Sequence, residues 1–258
     1  MSLHAIPELT KTHDELASSV TLGELAELLH APLPIQARLA AARVGLHRPA
    51  PRTVLYRSGD RFDSFYVVLS GMLKLTAADD SGFEQVFAFV APGETAGLDG
   101  FEDGSHGVDA TALGAVEVAS VPLTQLQRVA QLAGEHELAN QLVRRILAQA
   151  TVKDAGLLRL LETLDPRCRI AAFLLSLLTR LGRVYSEPVG AELPMTDREI
   201  GSYLRLSPEA VGSVLRDFVE AGLVHLNGRS VSLASRSSLA AVVDEGRWSP
   251  GYHAVALH

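Results

Sequence analysis

One stretch limits the folds open to this chain more than any other: Thr196–Leu223, TDREIGSYLRLSPEAVGSVLRDFVEAGL. Thr196 followed three residues later by Glu199 is a capping box, in which side chain and backbone amide satisfy each other at a helix start. The helix it opens, TDREIGSYL, turns Ile200 and Leu204 inward, and Arg205–Leu206 breaks it. Ser207 is a second N-cap, and Pro208 takes the first helical position, where its missing N–H is no loss. The second helix turns Val211, Leu215 and Phe218 inward and leaves Glu209, Gly212, Ser213 and Arg216 on its other face. Gly201 supplies the small residue that two steeply crossing helices need, and Gly222 closes the second helix. Asn227-Gly228, a strong two-residue turn signal, then joins Val224–Leu226 to Ser230–Leu233 as a hairpin. Two short helices around a tight turn, followed by a hairpin, make a winged helix-turn-helix. The alternative is a purely structural helical hairpin.

From Thr53 to Pro122 the texture is different. Short runs of β-formers (TVLYR, SFYVVLS, MLKLTA, EQVFAFV, DATAL, VEVASV) alternate with turn signals: SGD at 58–60, SG at 70–71, DDSG at 79–82 and PG at 92–93. That rhythm predicts an antiparallel sandwich or barrel, its glycines supplying the positive-φ turn positions. Before it, Thr21–His30 has leucines at 22, 25, 28 and 29 and predicts a short amphipathic helix, and Gln36–Gly45 predicts a second. After it, residues 123–164 follow a helical period. One stripe is Val143, Leu147, Thr151, Asp154, Leu158 and Leu161; another runs through Leu142, Ile146, Gln149, Leu157, Leu160 and Leu164. A helix apolar on two faces must pack on two things. One is the chain's own β-domain. A partner helix as the other predicts a homodimer, and a second domain of the same monomer is the alternative. Pro166 marks a boundary, Arg167–Leu181 predicts a further apolar helix, and Arg183–Leu193 reads as a loop.

The expected architecture is therefore α+β: an N-terminal antiparallel β-roll, a long dimerisation helix and a C-terminal winged helix-turn-helix. Its divisions are an N-terminal extension with short helices over 1–50, the roll over 51–134, the dimerisation helix over 135–164, the winged domain over 165–246 and a tail over 247–258.

Charge and cysteine count narrow the chemistry. The net charge of −7 argues against a polyanionic partner for the chain as a whole, but it is unevenly spread. Residues 1–165 carry 13 basic and 21 acidic side chains, whereas 166–258 carry ten basic, all arginine, and nine acidic. Only the C-terminal third can approach a polyanion cheaply. Cys168 is the single cysteine, which excludes a disulfide framework, a four-cysteine zinc site and an all-cysteine iron–sulfur cluster. No apolar run reaches the roughly 20 residues that span a bilayer. MSLHAIPELTKTHDELASS lacks the basic start and apolar core of a secretory signal, so a cytoplasmic protein without membrane contact is expected. There is no G-x-S-x-G elbow or H-E-x-x-H helix. GETAGLDG has glycines at 93, 97 and 100 but no following βαβ unit. An enzyme is not expected.

In this order, a roll, a long helix and a winged helix-turn-helix resemble the CRP/FNR superfamily of bacterial transcription regulators, over Thr53–Asp244. The carrying segments are LYRSGDRFDSFYVVLSGMLKL, APGETAGLDGF and MTDREIGSYLRLSPEAVGSVLRDFVEAGLV, and CRIAAF at 168–173 is similar to the ERLAAF spacing of the FNR branch. The resemblance implies double-stranded DNA as partner, RNA polymerase too if the protein activates, and a homodimer reading an inverted repeat with half-sites about 34 Å apart. Carried onto this chain, it implies base contacts from Glu209, Gly212, Ser213 and Arg216. It implies phosphate contacts from Thr196, Arg198, Ser202, Arg205, Ser207 and Arg229, and a dimer seam along Val143, Leu147, Thr151, Asp154, Leu158 and Leu161.

Two departures stand out. FNR-type recognition helices carry Glu-x-x-Ser-Arg; here Glu209 is kept, but Gly212 replaces the serine and Ser213 the arginine. Arg216, three residues on and on the same face, is the candidate replacement. Cyclic-nucleotide-binding members hold the phosphate with a Gly-Glu-Leu turn and an Arg-Ser or Arg-Thr pair. Pro92, Gly93 and Glu94 match the turn, but no arginine lies between Arg61 and Arg128. A buried phosphate without a cation is costly, so cAMP is not expected. An FNR-type cluster fails on ligand count. No cofactor is predicted; haem-based gas sensing through His13, His30, His47, His106 or His136 stays open, as does an interaction module that does not bind DNA.

Overall fold

The computed structural model describes residues 19–29, 33–78, 84–125, 165–182, 191–228 and 230–247. Thr21 caps helix α1 (Leu22–Leu28): its hydroxyl accepts the Glu24 amide at 3.1 Å, and Glu24 accepts the Thr21 amide at 2.8 Å. The second helix, α2, spans Leu33–Leu39 and ends earlier than the sequence suggested. Arg43–His47 is instead a strand, β2, which buries Val44 between exposed Arg43 and Gly45, the period of two that a strand requires. It pairs with β1 (Ser19–Thr21), in the segment expected to be a loose extension, so the roll's first sheet begins at Ser19 rather than after residue 50.

All six predicted β-runs form strands: β3 (Val54–Tyr56), β4 (Ser64–Ser70), β5 (Leu73–Ala78), β6 (Glu84–Val90), β8 (Asp109–Ala112) and β9 (Glu117–Pro122). The two-residue β7 (Thr95–Ala96) had no sequence signal of its own. The strands form two antiparallel sheets, ordered β1-β2-β9-β4-β7 and β3-β8-β5-β6. SFYVVLS is an apolar run because β4 is covered on both sides. Phe65 and Val67 pack with Leu22 and Leu25 of α1, while Val68 packs with Leu73, Val90, Ala110 and Val118 between the sheets.

Helix α3 (Pro166–Gly182) buries Ile170, Leu174 and Leu177 completely. The winged domain follows as β10 (Ala191–Glu192), α4 (Asp197–Leu204), α5 (Pro208–Glu220), β11 (Val224–Asn227), β12 (Ser230–Leu233) and α6 (Arg236–Arg247), its small sheet ordered β10-β12-β11. One apolar cluster runs from Met72, Val86, Phe89 and Leu113 of the roll through α3 into Ile200, Leu204, Val211 and Phe218. The two domains therefore share a core. The expected dimer seam from Val143 to Leu161 lies outside the described residues, and so does the expected 247–258 tail apart from Arg247, which is the last residue of α6.

Candidate nucleic-acid interface

The helix pair is built as its caps dictate. The Thr196 hydroxyl accepts the Glu199 amide at 3.2 Å, and Glu199 accepts the Thr196 amide at 2.7 Å. Ile200 and Leu204 are buried. Arg205 ends α4 in the left-handed region (φ 55°, ψ 49°), and the Leu206 amide closes back onto the Gly201 carbonyl at 2.9 Å. This is the helix stop usually assigned to glycine. Gly201 is small for a different reason than helix crossing. A Cβ there would lie 2.6 Å from the Leu206 carbonyl oxygen, so the returning turn excludes it. The Ser207 hydroxyl accepts the Ala210 amide at 3.2 Å and starts α5.

Val211, Val214, Leu215 and Phe218 bury the inner face of α5. The helix ends with Leu223 N–H on the Phe218 carbonyl (2.8 Å) and Gly222 N–H on Val219 (3.0 Å), with Gly222 at φ +65°. That double closure needs a left-handed residue, which is why glycine stands there. In the wing, Asn227 pairs with Ser230, which puts the turn one residue later than the Asn-Gly pair suggested, with Gly228 at φ +61°.

On the outer face Glu209, Ser213 and Arg216 are exposed and Gly212 is half-buried. Glu209, Gly212 and Arg216 line one concave surface with Asp197, Leu226 and Gly228, between α5 and the wing. The amide of Glu209 itself and the Ser207 hydroxyl hold its carboxyl below the usual carboxylate range. It is thus an acceptor at neutral pH. Arg216 lies back over the preceding turn, its Nε 3.2 Å from the Gly212 carbonyl. A Cβ on Gly212 would come within 3.2 Å of the Asp197 carboxylate. The glycine therefore lets the start of α4 approach α5 and offers a surface rather than a side-chain donor.

Of the expected phosphate contacts, Thr196, Arg198, Arg205 and Ser207 are exposed at the start of α4, on its first turn, and at the turn between the helices. Arg229 lies outside the described residues. Ser202 departs from expectation. Its hydroxyl accepts the Val86 amide at 2.9 Å and donates to the Glu84 carbonyl at 3.3 Å, while the Gln85 side chain donates to the Ser202 carbonyl. Positions 199 and 202 share one helix face, and that face is turned to β6, not to solvent.

Sequence reasoning missed this contact between the domains, because its partners are more than a hundred residues apart. Arg52, itself at φ +64°, donates to Glu199 at 2.9 Å and to the Pro194 carbonyl at 2.6 Å. Lys74 bridges Glu84 (2.6 Å) and Glu199 (3.2 Å). Burial pushes the Glu199 carboxyl up, but the Thr196 amide, Lys74 and Arg52 outweigh it and hold it below the ordinary value. The charged Lys74 in an apolar strand run was the one local hint.

Within the roll, His106 is buried, stacked on Tyr56 with ring centroids 3.9 Å apart and edge-on to Phe62. Its Nδ1 is 3.7 Å from Asp99 and makes no hydrogen bond. His47 is exposed on β2, and His13, His30 and His136 lie outside the described residues. No group of three or more histidine, cysteine or acidic residues that could hold a metal ion occurs among the described residues. Cys168 is buried, its thiol 3.2 Å from the Val242 carbonyl, and one cysteine does not fit a four-cysteine cluster. No described helix is long and apolar enough to cross a membrane.

Comparison with known proteins gives a consistent picture. Residues 47–132 match the cyclic nucleotide-binding domain family and residues 168–242 the Crp-like helix-turn-helix domain family. The chain is 35% identical over 189 residues to the transcriptional activator protein Anr of Pseudomonas protegens, covering 73% of this chain and 76% of that protein. It is 33% identical over 188 residues to the transcriptional activator protein FnrA of Stutzerimonas stutzeri, again covering 73% and 76%. Among solved structures it is similar in fold to FixK2 from Bradyrhizobium japonicum, with a TM-score of 0.67 at 24% identity over 77% of this chain and 96% of that one.

Proposed function

Because the chain belongs to the CRP/FNR family of DNA-binding transcription regulators, we propose that it acts as a cytoplasmic homodimer on an inverted-repeat operator. Each protomer sets the N-terminal half of α5 into a major groove, under control of a signal received by the roll. The observation that carries this reading is the division of α5. Val211 and Phe218 are fully buried, and the opposite face carries exposed Glu209, Ser213 and Arg216 beside the wing.

Glu209, ionised, accepts from a cytosine or adenine amino group. Ser213 is too short to span to guanine as an arginine does, so Arg216 takes that position or grips phosphate. Thr196, Arg198, Arg205 and Ser207 hold the backbone and fix the register. The dimer seam is the Val143–Leu161 stripe, and the signal shifts the population between two dimer arrangements. Two relatives are named as transcriptional activators, which supports RNA polymerase as a second partner. The chain performs no catalysis in this reading. Fluorescence anisotropy with labelled duplexes tests it. The wild type binds, and Glu209→Ala loses about 1–3 kcal/mol of discrimination at one base position. Failure to bind any duplex would overturn it.

A further inference from the structure

Glu94 sits in the tight turn that follows β6, and its carboxylate reaches out of its own domain. Arg180, in the last turn of α3, grips it with two parallel bonds, Nε to Oε1 and Nη2 to Oε2, both 2.7 Å. The same Nη2 donates to the Phe89 carbonyl on β6. Both side chains are largely withdrawn from water, at 14% and 21% exposure. A planar guanidinium on a carboxylate in this fork fixes direction as well as distance.

The anchor is itself rigid. The Gly93 amide donates to the Val68 carbonyl and the Val68 amide to the Glu94 carbonyl, each at 2.9 Å, so the turn is fastened to β4 inside the roll. Glu94 Oε2 also accepts the Ala91 amide at 3.0 Å, which holds the carboxylate in place before any arginine arrives. Among the described residues, further polar side-chain contacts between the domains bind α4 or the chain just before it, namely Arg52 on Glu199 and the Pro194 carbonyl, Lys74 on Glu199, and Ser202 on β6, while Phe89 of the roll packs on Phe173 of α3 and Tyr203 of α4. Arg180 acts from α3, the helix on which α4 and α5 are packed. The apolar packing is non-directional, so the directional polar attachments at α4 and at α3 are what single out one orientation within it.

From this geometry we infer that Glu94 and Arg180 are positioning residues for DNA recognition. Their fork sets the angle at which the winged domain stands on the roll, and so the separation at which the two α5 helices of a dimer meet DNA. The spacing half of this inference rests on the homodimer proposed above; the angle half does not.

The test uses the full chain with dyes at Arg61→Cys on the roll and Glu220→Cys on the winged domain, both exposed positions, with Cys168 buried. Time-resolved energy transfer reads the distribution of distances between the domains without DNA or a partner. In Glu94→Gln and Arg180→Gln the distribution should broaden, and in the exchanged pair Glu94→Arg with Arg180→Glu it should narrow again. Binding to duplexes whose half-sites are stepped apart one base pair at a time should show the wild-type spacing preference reduced by about 5- to 150-fold in the single variants, with affinity for a lone half-site unchanged. A distribution as narrow in the single variants as in the wild type would overturn the inference. So would a loss at the lone half-site as large as at the full site, which would make the pair a stability contact only. Failure of the homodimer would appear separately, as a wild type indifferent to spacing.

Discussion

Arg205 offers a perturbation in which stability and function should move in opposite directions. It holds φ 55° at the stop of α4, one of two non-glycine residues among those described with positive φ. A side chain in the left-handed region costs about 1–2 kcal/mol from the clash of Cβ with the following carbonyl. Glycine removes that clash but loses about 0.5–1 kcal/mol through the greater freedom of the unfolded chain. Arg205→Gly should therefore leave stability unchanged or raise it by up to about 1.5 kcal/mol. For a domain of this size each kcal/mol is about 2–4 °C in Tm. The same change removes an exposed guanidinium at the turn facing the proposed DNA backbone. One phosphate contact contributes about −0.9 to the slope of log K against log salt, so a dimer should lose about 1.8 in slope. Over a fourfold rise in salt that is about a 12-fold smaller fall in affinity. Differential scanning fluorimetry and anisotropy at stepped salt read the two effects on the same samples. A lower Tm would refute the strain argument, and an unchanged salt slope would refute the phosphate contact.

Other consequences follow from the caps, the domain contact and the stripe. Ser207→Ala removes the acceptor for the Ala210 amide and should cost about 1 kcal/mol by urea unfolding, with Ser207→Asp restoring it. Glu199 is held below its ordinary value of 4.5, so its ion pairs stabilise above that value and are lost as pH falls through the lower folded one. Thermal stability should therefore drop on acidification below about 4.5, and Glu199→Gln should flatten that part of the profile. Across a two-fold seam Asp154 would face its twin, and two carboxylates in a partly buried seam repel. Asp154→Ala should then tighten dimerisation in sedimentation equilibrium, and a weaker dimer would move Asp154 off the seam.

What was legible in the sequence was local. The capping box at Thr196, the helix start at Thr21, the Ser207 cap and the Gly222 stop act through neighbours within a few residues, and each forms where its pattern places it. The six β-runs were legible because β-forming residues fill each short run and turn residues separate the runs. β2 was misread because RVGLH follows a helix without a break signal, and only its pairing with β1 and β9 makes it a strand. Ser202 was misread for a related reason. Its place on α4 suits a surface contact, but β6 covers that face from across the chain. The Arg180–Glu94 fork joins residues 86 apart in sequence and leaves no local trace.

The central claim is that the outer face of α5 reads DNA with Glu209 kept and its arginine displaced to Arg216. Selection from a random duplex pool, run in parallel with the wild type and Arg216→Ala, tests it most directly. The account predicts an inverted repeat with half-sites about one helical turn apart, a firm preference at the Glu209 position, and a guanine position that is relaxed or shifted and changes again in Arg216→Ala. No enriched motif, or the same half-site selected by both proteins, would contradict it.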